Sequence, residues 1–229
     1  MQIGNTVCSS GLKITRYKSE EPRTPYAPTW DFSIGSTVVP LDVELLSKTC
    51  LKKEKEINKL PTSLGLDGQL TDGYTGLGYN STTAKWRNYN VLEWDTPQIK
   101  MLRKYIKAEV GEYNRKLGNP FPSQLWIQCW VNIMRWGQKI SPHMHGIDPS
   151  SYLSAHFTVQ CDNTSTCYHN PLNTYNSPHI IEEKNKPGSL TIFPSYLPHY
   201  TTRHNSFKPR ITIAMDMGLE SGSGICIEL

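Results

Sequence analysis

The sequence predicts an α+β fold in which helices near the N-terminus brace an antiparallel barrel or jelly roll. Two features of its pattern point there. Residues 95–118 repeat apolar side chains every three or four positions, the mark of an amphipathic helix. After Pro122 the texture changes to short segments rich in β-branched and aromatic residues, separated by turn residues. A chain of 229 residues, 37% hydrophobic and 19% charged, can bury one substantial core.

Taken in order, residues 19–30 (SEEPRTPYAPTW) read as a proline-rich linker, since proline fits neither a helix interior nor a central strand. From Leu41 to Leu60, Val43, Leu46, Cys50, Ile57 and Leu60 keep helical spacing, and Pro61 stops the run. Residues 61–92 are rich in Gly, Ser, Thr and Asn and read as a long irregular stretch, either a binding loop or lid or a surface excursion. The second helix is capped by Asp95 or Thr96, takes Pro97 in its first turn and ends at Gly118. Its stripe is Ile99, Leu102, Ile106, Val110, Tyr113 and Leu117. Strands are expected at 124–136, 151–160, 188–194, 199–203 and 210–217. The organisation is one domain over 1–229, with a helical and loop support at 1–122, a β core at 123–217 and a tail or edge strand at 218–229.

The net charge of +4 is the difference between 24 basic and 20 acidic residues spread along the chain, which disfavours nucleic acid or an anionic membrane as partner. A small molecule or another protein fits better. No run of about eighteen apolar residues is present, so no helix should span a membrane. The start, MQIGNTVCSS, lacks the regions of a signal peptide. Six cysteines without metal-finger spacing suit a reducing cytoplasm, with Cys161 and Cys167 read as free thiols in preference to a pair.

The chemistry concentrates late in the chain. All seven histidines lie between His143 and His204, and three segments stand out: SPHMHG, FPSYLPHY and RITIAMD. On an extended strand His143 and His145 point to one face, about 6.5 Å apart along the chain. A return strand can bring His199 alongside. Two histidines and a third ligand, with positions left open, suit non-haem Fe(II). Gly137 and Gly188 with Pro194 fit the tight corners of a double-stranded β-helix. Arg210 then heads an apolar alternating run. On an inward-facing strand it needs an anion, and Thr212 on the same face can assist. The competing reading is an arginine exposed after Pro209. Asn132 and Tyr152 are weaker candidates for contact with co-substrate or substrate. His156, His169, His179 and His204 are spare to the metal, and Trp126, Trp130 and Trp136 are expected to build sheet faces.

WVNIMRWGQKISPHMHG, SSYLSAHFTV, YHNP, GSLTIFPSYLPHY and RITIAMD, in this order, resemble the 2-oxoglutarate- and Fe(II)-dependent dioxygenases. The likeness covers about residues 123–217 and is strongest to a group frequent in phage and bacterial genomes. It implies a double-stranded β-helix jelly roll binding Fe(II), 2-oxoglutarate and molecular oxygen, and hydroxylation of a primary substrate that the sequence does not name. It makes His143 and His199 catalytic metal ligands and has Arg210, aided by Thr212, bind the distal carboxylate of 2-oxoglutarate. If phage-encoded, the enzyme would act in the host cytoplasm. Most of that superfamily carries Asp or Glu where this chain has His145. Either His145 completes a three-histidine site, the reading its spacing favours, or Asp148 supplies the carboxylate. Two alternatives remain. One is a cupin-like three-histidine dioxygenase without 2-oxoglutarate, which lacks the expected glutamate and leaves Arg210 without a use. The other is a non-catalytic jelly roll serving as a binding or virion-associated module. Oligomeric state is open.

Overall fold

The computed structural model describes residues 11–65, 67–146, 148–170, 180–222 and 224–229. Strands β1 (Lys13–Lys18) and β2 (Asp31–Val38) form an antiparallel hairpin. No strand was expected this early. The proline-rich segment 19–30 is the connection within that hairpin, so it links two strands of one sheet.

Helix α1 (Val43–Ile57) begins at Asp42, whose carboxylate accepts from the Leu45 amide, and buries Leu46, Cys50 and Ile57. Helix α2 (Pro97–Leu117) is capped by the Thr96 hydroxyl accepting from the Ile99 amide. It ends at Gly118, whose φ of 75° favours glycine. Ile99, Leu102, Ile106, Val110 and Tyr113 are all buried, as the spacing predicts. At about 1.5–3 kcal/mol for each large apolar side chain removed from water, this stripe is what holds the helix to the sheet.

The remaining strands are β3 (Trp126–Met134), β4 (Ser151–Gln160), β5 (Ser165–His169), β6 (Ile180–Lys184), β7 (Ser189–Pro194), β8 (His199–Thr201), β9 (Arg210–Gly218) and β10 (Ile227–Glu228). They build a seven-stranded sheet, β1-β2-β7-β4-β9-β3-β10, facing a three-stranded one, β6-β5-β8, with every named pairing antiparallel. This is a double-stranded β-helix. The stretch 161–187, where no strand was expected, contributes β5 and β6 to its smaller sheet. β2, within the expected support region 1–122, pairs with β7 of the expected β core through Gly35–Val38.

Alternation along β3 and β9 divides the faces. Ile127, Cys129, Val131 and Ile133, with Ile211, Ile213, Met215 and Met217, join α1 and α2 in one apolar core. On β2, Gly35 lies under Tyr113, and a Cβ there would come 2.8 Å from the ring. The Tyr113 hydroxyl donates to the Ser33 carbonyl at 2.8 Å. The other face of β2 turns Phe32 and Ile34 towards Tyr168, Phe193 and Leu197, a second apolar cluster between the sheets. Cys161 and Cys167 are free thiols. Among the described residues, no helix is long and apolar enough to cross a membrane.

Ile106→Ala should cost about 2–5 kcal/mol, because the packed helix–sheet layer cannot collapse into the space left behind. Urea unfolding of the two proteins measures it.

Candidate metal and anion site

The short segment before His145 runs antiparallel to β8. The His143 amide donates to the His199 carbonyl at 3.0 Å, and the His199 amide donates back to the His143 carbonyl at 2.9 Å. The His145 amide continues the pairing to Ser195, and Thr201 pairs with Ile140. Two residues directly opposed in such a pair carry their side chains on one face. The ring centroids of His143 and His199 are 4.4 Å apart, and His145 lies nearly parallel to His199 at 4.9 Å.

Each imidazole uses Nδ1 on a fixed acceptor. His143 Nδ1 lies 2.9 Å from the Ser141 carbonyl and His199 Nδ1 lies 3.0 Å from the Leu197 carbonyl. His145 Nδ1 lies 2.5 Å from Asp216 Oδ1. Asp216 is held in turn by the Ser154 hydroxyl at 2.8 Å. With Nδ1 donating, the free lone pairs sit on Nε2. One ligand atom from each ring falls within 4.8 Å of the others, and the Nε2 atoms of His145 and His199 are 3.1 Å apart. Two lone pairs at that distance repel unless a cation or a shared proton lies between them. Adjacent imidazole ligands sit about 3 Å apart when each binds an ion at about 2.1 Å. The donor set therefore fits a divalent metal, and the three Nδ1 contacts are the outer bonds that orient metal-binding histidines.

Below the histidines the barrel interior mixes polar and apolar side chains. The pairing places it in rows: Gln128, Asp216 and Ser154; then Trp130, Ala214 and His156; then Asn132, Thr212 and Thr158; and last Met134 with Arg210. Arg210 is 1% exposed. Its Nε donates to Thr164 Oγ1 and its Nη2 to Asn185 Oδ1, each at 3.1 Å, while Nη1 reaches Met134 Sδ and Thr212 Oγ1 only at 3.5 Å. All four acceptors are neutral. Burial pulls the guanidinium pKa down to about 10. A buried cation with no carboxylate partner among the described residues could accept an anion. The chamber between Arg210 and the histidines measures about 30 Å³, room for about one water. A ligand of several heavy atoms would fit there only if the lining side chains gave way.

The other expected residues divide. Asn132 and Thr212 line this chamber, and the Asn132 carboxamide oxygen accepts from the Thr83 hydroxyl at 2.6 Å. Tyr152 does not reach it: its hydroxyl donates to Asn114 of α2 at 2.6 Å, because β4 is irregular between Ser151 and Ser154. Asp148 is exposed and turned to its own loop, accepting from the Ser150 amide and the Ser150 and Ser151 hydroxyls, which hold its pKa down to about 2. His169 packs against Tyr200, His204 bonds the Lys208 carbonyl, and His179 lies outside the described residues. Trp130 lies 5.5 Å from the His145 ring and walls the site, whereas Trp136 is exposed beyond β3 and stacks on Phe207.

Above the histidines is a vestibule of about 330 Å³, lined by Tyr74, Trp86, Arg87, Trp130 and Met144, with a second lobe of about 340 Å³ sharing Trp86, Arg87, His145 and Asp216. Its wall comes from the stretch 61–92, which is less irregular than its composition predicts. Thr83–Asn88 and Val91–Glu93 form 3₁₀ turns, Thr82 donates to the Val131 carbonyl, and the Ser141 amide donates to the Thr75 carbonyl. Sequence reasoning missed Asp216 and His156. The signal for Asp216 was its place on the Arg210–Thr212–Ala214 face of one alternating strand.

Asp216→Asn should weaken divalent-metal affinity about 10–100-fold, since the carboxylate fixes the His145 tautomer. A competitive chelator titration reads this. Burial pulls His143 down to about 4 and His156 to about 3 from 6.5. In acid the unfolded chain gains protons that the metal-free fold refuses, so stability should rise with pH from about 4 to 6.5. The urea midpoint of metal-free protein should be lower at about pH 5 than at about pH 7, with a smaller difference in His143→Asn.

The family described as "Putative 2OG-Fe(II) oxygenase" matches residues 128–216. No curated protein sequence matches the chain. Among solved structures, a prolyl-4-hydroxylase from Pseudomonas putida is similar at 12% identity, with a TM-score of 0.52 over 82% of this chain and 88% of that one. AviO1 from Streptomyces viridochromogenes Tue57 is similar at 10% identity, with a TM-score of 0.51 over 81% and 89%. SnoK, a non-haem alpha-ketoglutarate-dependent carbocyclase from nogalamycin biosynthesis, gives 10% and 0.51 over 81% and 79%. At these identities the structures establish a shared fold, and the family match runs from β3 into β9, spanning the segment with His143 and His145, β8 with His199, and β9 with Arg210 and Asp216. Over residues 128–216 the chain is therefore similar to the family described as putative 2OG-Fe(II) oxygenases, on a fold that it shares with the solved oxygenase structures.

Proposed function

We propose that His143, His145 and His199 hold Fe(II), that Arg210 with Thr212 binds the distal carboxylate of 2-oxoglutarate, and that the primary substrate occupies the vestibule. The observation that carries this reading is the buried Arg210 guanidinium with only neutral acceptors around it. When bound, Fe(II), 2-oxoglutarate and oxygen supply the oxidising chemistry, in which 2-oxoglutarate gives succinate and carbon dioxide and a substrate C–H bond becomes C–OH.

The protein's part is to bind, orient and exclude. The Ser141 and Leu197 carbonyls and Asp216 fix the three imidazoles with Nε2 turned inward. Arg210 supplies the charge that a carboxylate leaving water requires, and its fork can grip both oxygens. Asn132, with its oxygen occupied by Thr83, would offer its NH₂ group to the co-substrate. Trp86 and Trp130 limit water at the mouth and present flat surfaces to a small molecule or to a side chain of a larger one. A neutral third ligand in place of a carboxylate leaves the metal more positive, and the Asp216 contact returns part of that charge through His145. The cupin-like alternative leaves Arg210 buried without an anion. A reducing, cytoplasmic setting suits Fe(II) and the free thiols.

Protein loaded anaerobically with Fe(II) should develop a visible metal-to-ligand charge-transfer band on addition of 2-oxoglutarate. Arg210→Met should weaken that binding at least about thirtyfold, and His199→Ala should abolish it. A band that Arg210→Met leaves untouched sinks the anchor assignment.

A further inference from the structure

His156 sits mid-strand on β4, opposite Ala214, and its ring lines the chamber shared by Arg210, Thr212, Asn132 and His199. It is not in the converging metal group. Its Nε2 lies 3.1 Å from the Tyr168 hydroxyl on β5. Its Nδ1 is buried and has no partner, and neither has the buried Thr158 hydroxyl two residues on, on the same face. A buried imidazole atom without a partner is costly, so one left beside a chamber that also holds Arg210, Asn132 and Thr212 points to a ligand.

The proton can be assigned. Burial raises the Tyr168 phenol well above its ordinary pKa, so it stays protonated. Burial and the neighbouring Arg210 charge both lower His156, to about 3, so the ring is neutral. Among the described residues the Tyr168 hydroxyl meets no acceptor besides Nε2, and a phenol donating there leaves the single ring proton on Nδ1. The chamber then offers one uncompensated guanidinium and one orphaned neutral N–H donor. A carboxylate, with one negative charge and two oxygens, complements both.

We propose that His156 is a second binding group for the distal carboxylate of 2-oxoglutarate, donating through Nδ1 beside Arg210, with the Tyr168 hydroxyl fixing the required tautomer. This rests on the co-substrate reading of Arg210. It makes His156 a specificity residue, selecting 2-oxo diacids over 2-oxo acids that end in a methyl group.

The test titrates 2-oxoglutarate and 2-oxopentanoate, which has the same chain length without the distal carboxylate, into anaerobic Fe(II)-loaded protein. Charge-transfer absorbance gives each Kd, and a chelator competition gives the Fe(II) Kd. In His156→Phe the 2-oxoglutarate Kd should rise about tenfold or more, the loss of one hydrogen bond to a charged group, with the other two constants unchanged. His156→Gln, which keeps a donor, should recover part of the loss, and Tyr168→Phe should show a smaller, 2-oxoglutarate-only effect. Should His156→Phe fail to fold, nitrogen-15 spectra of the Zn(II)-loaded wild type carry the test: the His156 Nδ1–H signal should move with 2-oxoglutarate and stay with 2-oxopentanoate. The proposal is overturned if His156→Phe binds 2-oxoglutarate like the wild type, if both oxo acids weaken equally, or if that signal does not move. Wild type that binds no 2-oxoglutarate removes the anchor reading itself. Wild type whose binding is lost in Arg210→Met and kept in His156→Phe removes the His156 role alone.

Discussion

The reciprocal pair of backbone hydrogen bonds between His143 and His199 is the constraint on which the site depends. It needs no side-chain chemistry, yet it sets two imidazoles side by side on one face and brings His145 into the same space. Everything else in the site corrects orientation. The Ser141 and Leu197 carbonyls and Asp216 each take one Nδ1, so that three rings on a short irregular segment and a three-residue strand turn the same atom inward. The stretch 61–92 braces this arrangement from outside, through the bond from Ser141 to Thr75 two residues before His143.

The barrel interior is divided between two tasks. One end, around Phe32, Ile34, Tyr168, Phe193 and Leu197, is ordinary apolar packing between sheets. The other is a ladder of polar side chains from Asp216 to Arg210, built by the alternation of β3, β9 and β4. That ladder is costly to keep dry, and its cost is concentrated in Arg210, which meets only neutral acceptors, and in His156 Nδ1 and the Thr158 hydroxyl, which have no partner. The rigidity needed to maintain it comes from the opposite face of the same strands, where a continuous apolar layer is clamped under α1 and α2.

Much of this was legible in residue order. The stripe of α2 and its Thr96 and Gly118 caps follow from local periodicity and capping, which act within a few residues. His143, His145, His199, Arg210 and Thr212 stand out because few structural roles require those residue types at those spacings. The hairpin at 13–38 was hidden because its connection is proline-rich and its strands lean on distant partners, β7 and the second apolar cluster. Tyr152 was placed wrongly because an irregularity at Ser151–Ser154 re-aims it, and no residue type there announces such a slip. Asp148 looked like a ligand by distance in sequence, but its own loop satisfies it first.

By itself the sequence determined the fold class, the helices and the set of metal- and anion-seeking side chains, because these rest on periodicity, capping and residue chemistry. Only the tertiary structure decided which nitrogen of each histidine faces inward, that Asp216 stands behind His145, that Arg210 is buried among neutral acceptors, and that His156 shares its chamber. Those facts depend on strand register and on contacts between residues far apart in the chain. A shift of one residue along any of these strands would turn the same side chains to the opposite face.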